Sequence, residues 1–156
     1  MLVRFAGCFL LVTLMGLAGC GGTQSSAGDS AEVANEPDYI TVQHILIAFD
    51  GSVEGKNVTR SKEEAEALAK EIFERAKAGE DFDALVEEYT DDAAPGVYKL
   101  ANFGVEADRA RQVYARGDMV ESFGDVGFSL AVGEIGLATY DEHKCKYGWH
   151  IILRIG

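Results

Sequence analysis

Two histidines stand in apolar runs far apart in the chain: His44 in Gln43-His44-Ile45-Leu46-Ile47, and His150 in Gly148-Trp149-His150-Ile151-Ile152-Leu153-Arg154. Imidazole changes charge near neutrality and, when neutral, ligates metals. Side chains alternate along a strand. Ile40, Val42, His44 and Leu46 therefore share one face of the first run, and His150, Ile152 and Arg154 share one face of the last. If these strands are sheet neighbours, the two rings occupy one site. If not, each is an isolated, hydrogen-bonded core histidine, which is the simpler reading of spacing alone. A zinc site needs at least a third protein ligand. His143 and Cys145 are close in sequence, but their spacing matches no established zinc pattern.

The elements that must position these rings are legible. Ile40 to Ile47 reads as a strand ended by Asp50-Gly51-Ser52. Ser61 and Glu64 have capping-box spacing. Ala65, Leu68, Ala69, Ile72, Phe73 and Ala76 then follow the helical period up to Gly79. Asp81 is placed to cap a second helix bearing Phe82, Leu85, Val86 and Tyr89 on one face. Val97 to Phe103 suggests a short strand. Ser122 to Leu130 suggests a short helix weakened by Gly124 and Gly127. Gly148 to Ile155 is the closing strand. This order predicts an α+β domain, with helices packed on an antiparallel sheet.

The 156 residues make one domain plus a leader. Arg4 precedes an apolar run from Phe5 to Met15, and small residues follow, which is the layout of a signal peptide. Leu17-Ala18-Gly19-Cys20 is similar to the lipobox of bacterial lipoproteins, which implies cleavage before Cys20 and lipidation of its thiol. The alternative is an ordinary secretory signal with a chance cysteine. The expected division is a signal over 1–19, a lipidated Cys20 and flexible linker over 20–38, and a folded domain over 39–156. The linker is rich in Gly, Ser, Ala, Asn and Glu, and its 18 or so residues reach roughly 20–25 Å. The formal net charge is −12, from 14 basic and 26 acidic side chains. Such a surface disfavours nucleic acid as a partner. It also disfavours anionic head groups, so acyl chains must do any anchoring. With Cys20 lipidated and Cys8 removed, Cys145 has no disulfide partner within the chain.

Several ordered motifs together resemble the parvulin family of peptidyl-prolyl cis-trans isomerases. Gln43-His44-Ile45-Leu46 is similar to the family's first strand, and Gly148-Trp149-His150-Ile151-Ile152 to its last. Thr59-Arg60-Ser61-Lys62-Glu63-Glu64-Ala65 resembles the start of its first helix. Asp81-Phe82 and Tyr89-Thr90-Asp91-Asp92 resemble the stretch leading to the active-site acid or cysteine. Arg116-Gly117-Asp118-Met119 with Phe123 resembles the proline-pocket segment, and Gly133-Glu134-Ile135-Gly136 the turn before the penultimate strand. The similarity spans about residues 39–156.

The resemblance implies a four-stranded antiparallel sheet with about four surrounding helices. It places His44 and His150 as the paired active-site histidines and Asp92 as the acid. Leu100, Met119 and Phe123 form the apolar wall for the proline ring. Tyr147 falls near a Ser/Thr position that usually bonds the histidines. By residue type alone, Met119 and Phe123 read equally as core, and Asp91-Asp92 as a solvated helix end. No cofactor or metal is implied. The implied partners are proline-containing unfolded or extended polypeptides, and the membrane through the lipid anchor. A chaperone on the same fold without turnover, and a structural envelope lipoprotein, are the other readings. Two imidazoles in contact are not both protonated, so one is expected to be neutral at pH 7 and one ring to donate to the other.

Two departures from the family stand out. About a dozen extra residues, rich in Arg and Ala, precede Met119. The loop after His44 carries only Lys56, Arg60 and Lys62, whereas a phosphoryl group needs several cationic contacts. No requirement for phosphorylated substrates is expected.

Overall fold

A computed structural model describes residues 36–156 of the chain. β1 (Tyr39–Ile47) leads through a loop to α1 (Lys62–Lys77) and α2 (Phe82–Tyr89). β2 (Val97–Ala101), a 3-10 turn (Arg109–Arg111), β3 (Val113–Ala115) and a second 3-10 turn (Arg116–Asp118) follow. α3 (Glu121–Ser129), β4 (Ile135–Ala138) and β5 (Trp149–Arg154) complete the domain. The helix starts follow local chemistry. Ser61 Oγ accepts from Glu64 N–H at 3.2 Å, and Glu64 Oε2 accepts from Ser61 N–H at 2.7 Å, closing the capping box. Asp81 Oδ1 accepts from the backbone N–H groups of Asp83 and Ala84 to start α2.

The fold is α+β, and the sheet differs from expectation in one strand. It has five strands in the order β3-β2-β1-β5-β4. β2, β1, β5 and β4 pair antiparallel, as expected. The fifth strand, β3, lies parallel to β2, with Lys99 opposite Val113 and Ala101 opposite Ala115. It is built from the extra residues ahead of Met119. Around the sheet, the described residues form three α-helices and two short 3-10 turns, not about four helices.

The alternation of β1 divides the core. Ile45 and Ile47 face α1 and α2, packing with Ala65, Ala69, Ile72, Leu85, Val86, Trp149 and Ile151. Ile40 and Val42 face the other way, with Leu100, Phe123, Phe128 and Ile152. The glycines that weaken α3 by propensity have a packing reason. A Cβ at Gly124 would meet the Arg116 stem at 2.9 Å, and one at Gly127 would meet Ile40 at 3.3 Å. Gly127 lets α3 lie close on the sheet face that carries the histidines, and Gly124 leaves room for the Arg116 stem.

Candidate functional site

β1 and β5 are sheet neighbours. His44 stands opposite Ile152 and His150 opposite Leu46, so the two histidines are diagonal neighbours on one face of the ladder. Their ring centroids are 5.3 Å apart. Both are buried, at 2% and 6% exposure. Two glycines let other segments crowd this strand. Gly96 (φ +67°) accepts from His44 N–H at 3.0 Å through its carbonyl, and a Cβ there would sit 2.5 Å from the His44 carbonyl oxygen. Gly148 (φ +142°) precedes β5, and its Cβ would fall 2.2 Å from the Ile47 carbonyl oxygen.

The segment after α2 is stapled to the end of β1. Asp91 N–H donates to the Leu46 carbonyl at 2.8 Å, Leu46 N–H donates to Thr90 Oγ1 at 3.2 Å, and Ala48 N–H donates to Asp91 Oδ2 at 2.8 Å. Arg60 pairs with the same Asp91 oxygen. Asp91 is thus structural, and Asp92 is free to point at the histidines. Asp92 Oδ2 lies 3.3 Å from His44 Nε2. This is an ion-pair distance without hydrogen-bond alignment. The His44 imidazole is the main cause holding the Asp92 carboxyl well below the usual carboxylate range, and the Ala93 N–H and the Tyr98 hydroxyl add to it.

Phe123, on the first turn of α3, covers both imidazoles edge-on, with centroids 5.1 Å from His44 and 5.3 Å from His150. These groups floor an open cleft of about 780 Å³. Met119 and Val120 line one side. Glu54, His143, Lys146 and Tyr147 line the opening.

The structure thus brings together His44, His150, Asp92, Met119 and Phe123, and places Tyr147 at the rim. It moves one expected wall residue. Leu100 is fully buried beneath the cleft, packed in the core with Phe123 and Ile152. The β2 side chain that lines the cleft is Tyr98, two residues earlier on the same strand face. Strand alternation identifies that face, but not which rung of it reaches the opening. The expected hydrogen bond between the histidines is absent. Among the described residues, no group hydrogen-bonds an imidazole nitrogen of His44 or His150, so neither ring donates to the other, and Tyr147 does not take up the bonding role of the family's Ser/Thr. Diagonal placement puts the rings side by side rather than in line. Burial, followed by the nearby His44, pushes the His150 imidazole down to about 3, so it is neutral at pH 7.

The zinc alternative loses Cys145. Cys145 is fully buried, and its thiol donates to the Gly148 carbonyl at 3.3 Å. Burial and then Asp141 raise that thiol to about 12. Among the described residues, no three His, Cys, Asp or Glu side chains are grouped as a ligand set.

Arg116, at the head of the Arg116-Gly117-Asp118-Met119 motif, is a structural residue. The residue is 8% exposed, and its guanidinium bonds Glu36 at 2.6 Å, Asn102 at 3.0 Å and Asp125 at 2.8 Å, close to the rings of Phe103 and Phe128. It ties the start of the domain to α3, the helix that carries Phe123.

Residues 30–154 match the family described as the PPIC-type PPIASE domain. The chain belongs to that family. Chaperone SurA of Chromohalobacter salexigens is 33% identical over 131 residues, covering 83% of this chain and 25% of that protein. Foldase protein PrsA of Caldanaerobacter subterraneus is 32% identical over 116 residues, covering 72% of this chain and 34% of that protein. The chain therefore spans between a quarter and about a third of these relatives' length. Among solved structures, peptidyl-prolyl isomerase ESS1 from Candida albicans shares the fold at a TM-score of 0.57 and 23% identity, covering 78% of this chain and 65% of that one. TbPIN1 does so at 0.56 and 20%, covering 76% and 98%.

Proposed function

We propose that this domain is a peptidyl-prolyl cis-trans isomerase that assists the folding of exported proteins, and that His44, His150, Asp92, Met119 and Phe123 form its active site. One observation carries the reading: two buried imidazoles with free nitrogens floor an open cleft directly beneath an aromatic wall.

Rotation about X-Pro makes and breaks no covalent bond. Its barrier is amide resonance, roughly 18–20 kcal/mol. A twisted amide has lost that resonance and carries a less polarised carbonyl. Met119, Phe123 and the Tyr98 ring hold the pyrrolidine in an apolar setting that favours the twisted state over the planar one. His44 and His150 supply the polar floor. Asp92 opposes charge build-up in the planar resonance form. Lowering the barrier by roughly 5–7 kcal/mol gives on the order of 10⁴–10⁵-fold acceleration.

Export and anchoring extend the same reading. The lipobox-like Leu17-Ala18-Gly19-Cys20 lies outside the described residues, and its sequence supports lipidation of Cys20 on the exported face of a bacterial envelope. Cys20→Ser should release the protein from membranes and remove a lipid mass increment. Tyr147 belongs to the rim of the substrate cleft.

The deciding experiment is a proline-isomerisation assay of the full-length chain in detergent, on a peptide series varying the residue before proline. Acceleration abolished by the double substitution at His44 and His150 supports the reading. Saturable peptide binding without acceleration would instead make the domain a holding chaperone.

A further inference from the structure

We propose that Tyr98 is a positioning residue that orients Asp92 onto His44, and that the extra segment before Met119 supports it through Tyr114. The inference rests on the isomerase reading of this cleft.

Asp92 sits on a loop, with its side chain 35% exposed. Its backbone is fixed by the N–H donated to Thr90 Oγ1 at 3.2 Å, but that bond does not choose the carboxylate rotamer. The Tyr98 hydroxyl does. It donates to Asp92 Oδ2 at 3.1 Å, and this is the same oxygen that faces His44 Nε2. One oxygen shared between a phenol and an imidazole has little freedom to swing toward water.

The phenol is itself held on three sides. Its centroid lies 5.3 Å from that of His44, 6.2 Å from Phe123 and 5.7 Å from Tyr114. Tyr114 comes from β3, whose pairing sets it opposite Leu100 on β2. The middle residue of the fifth strand is therefore an aromatic ring that backs the residue orienting the acid. A tyrosine has only two side-chain torsions, so packing of this kind fixes its hydroxyl closely. Burial and the adjacent Asp92 push the phenol up to about 12, so it keeps its proton and donates throughout the neutral range.

Tyr98→Phe keeps the ring and removes the donor. In the full-length chain in detergent, kcat should fall about tenfold, the loss of one hydrogen bond to a charged group, with KM unchanged. The ¹⁵N imidazole signals of His44 should shift, while the unfolding midpoint stays in place. In an Asp92→Ala background, the same substitution should change neither kcat nor the His44 signals. A tenfold loss that persists without Asp92, or unchanged kcat and His44 signals in the single variant, would overturn the positioning role. If Tyr98→Phe lowers the folded fraction, Tyr114→Leu decides: removing the ring that backs Tyr98 must move the His44 signals of the folded protein, and unmoved signals overturn the positioning role. The imidazole signals need no turnover. A wild-type chain without isomerase activity would sink the isomerase reading alone, and unchanged His44 signals would sink this one alone.

Discussion

His150 lies diagonally across the β1–β5 ladder from His44, with ring centroids 5.3 Å apart and a 49° angle between the ring planes. The two rings share the Phe123 edge and one desolvated pocket without sharing a hydrogen bond. Their coupling must therefore run through electrostatics and packing.

That coupling is measurable in a double-mutant cycle of His44→Asn and His150→Asn. Residues in contact typically show interaction energies of about 0.5–3 kcal/mol. The double variant should cost less than the sum of the single ones in both kcat/KM and unfolding free energy. Strict additivity in both would return the histidines to independent core residues.

Folding stability should depend on pH through His150. Its folded value of about 3 lies below the ordinary 6.5, so the unfolded chain binds a proton that the folded chain refuses. Stability is then fullest above pH 6.5 and declines as pH falls toward the folded value, by up to about 1.4 kcal/mol per pH unit. The depressed Asp92 carboxyl has the same sign, but acts only below its ordinary 3.8. Urea titrations between pH 7 and 4 should show the decline, and His150→Asn should flatten it. An unchanged slope in that variant would assign the decline to other groups.

Phe123 is both wall and core, at 3% exposure. Truncation to Ala costs roughly 3–5 kcal/mol, so Phe123→Leu is the cleaner probe. It should cut kcat/KM by more than about tenfold while the thermal transition remains cooperative, because only the aromatic edge over the imidazoles is lost. Activity that tracks the folded fraction alone would make Phe123 a core residue and nothing more.

Phosphorylated substrates should gain nothing. Of the three bases after β1, Arg60 is spent on Asp91 and the Ala48 carbonyl, and Lys62 lies 4.4 Å above the Tyr140 ring. The cleft itself is lined by Glu54, Asp92, Asp118 and Glu121 against one lysine, Lys146. With matched Ser-Pro and phosphoserine-Pro peptides, the phosphorylated one should turn over no faster. A strong preference for it would overturn this expectation.

Much of this was written locally in the chain. The capping box at Ser61, the Asp81 cap and the alternation around His44 and His150 each depend on residues a few positions apart, and each formed as expected. What escaped depends on partners distant in sequence. β3 is three residues long and exists because β2 offers it an edge. Tyr98 and Leu100 share a face, and only the position of α3 decides which meets the cleft. Arg116 is buried because Glu36, Asn102 and Asp125 converge on it from separate segments. The diagonal, tilted placement of the histidines follows from ladder register, which composition does not set.

β1 is the middle strand of five, and the polar floor comes from it and its neighbour β5. The wall beside it, in contrast, runs from the 3-10 turn Arg116–Asp118 through Met119 to a helix start without a side-chain cap. Backbone amides of the central ladder should open only with global unfolding, and those around Met119 by local fraying. Amide hydrogen exchange should therefore separate the molecule into two tiers. On the isomerase reading, a slow tier at His44 and His150 keeps the imidazoles registered, and a fast tier at Met119 admits and releases the substrate without disturbing them.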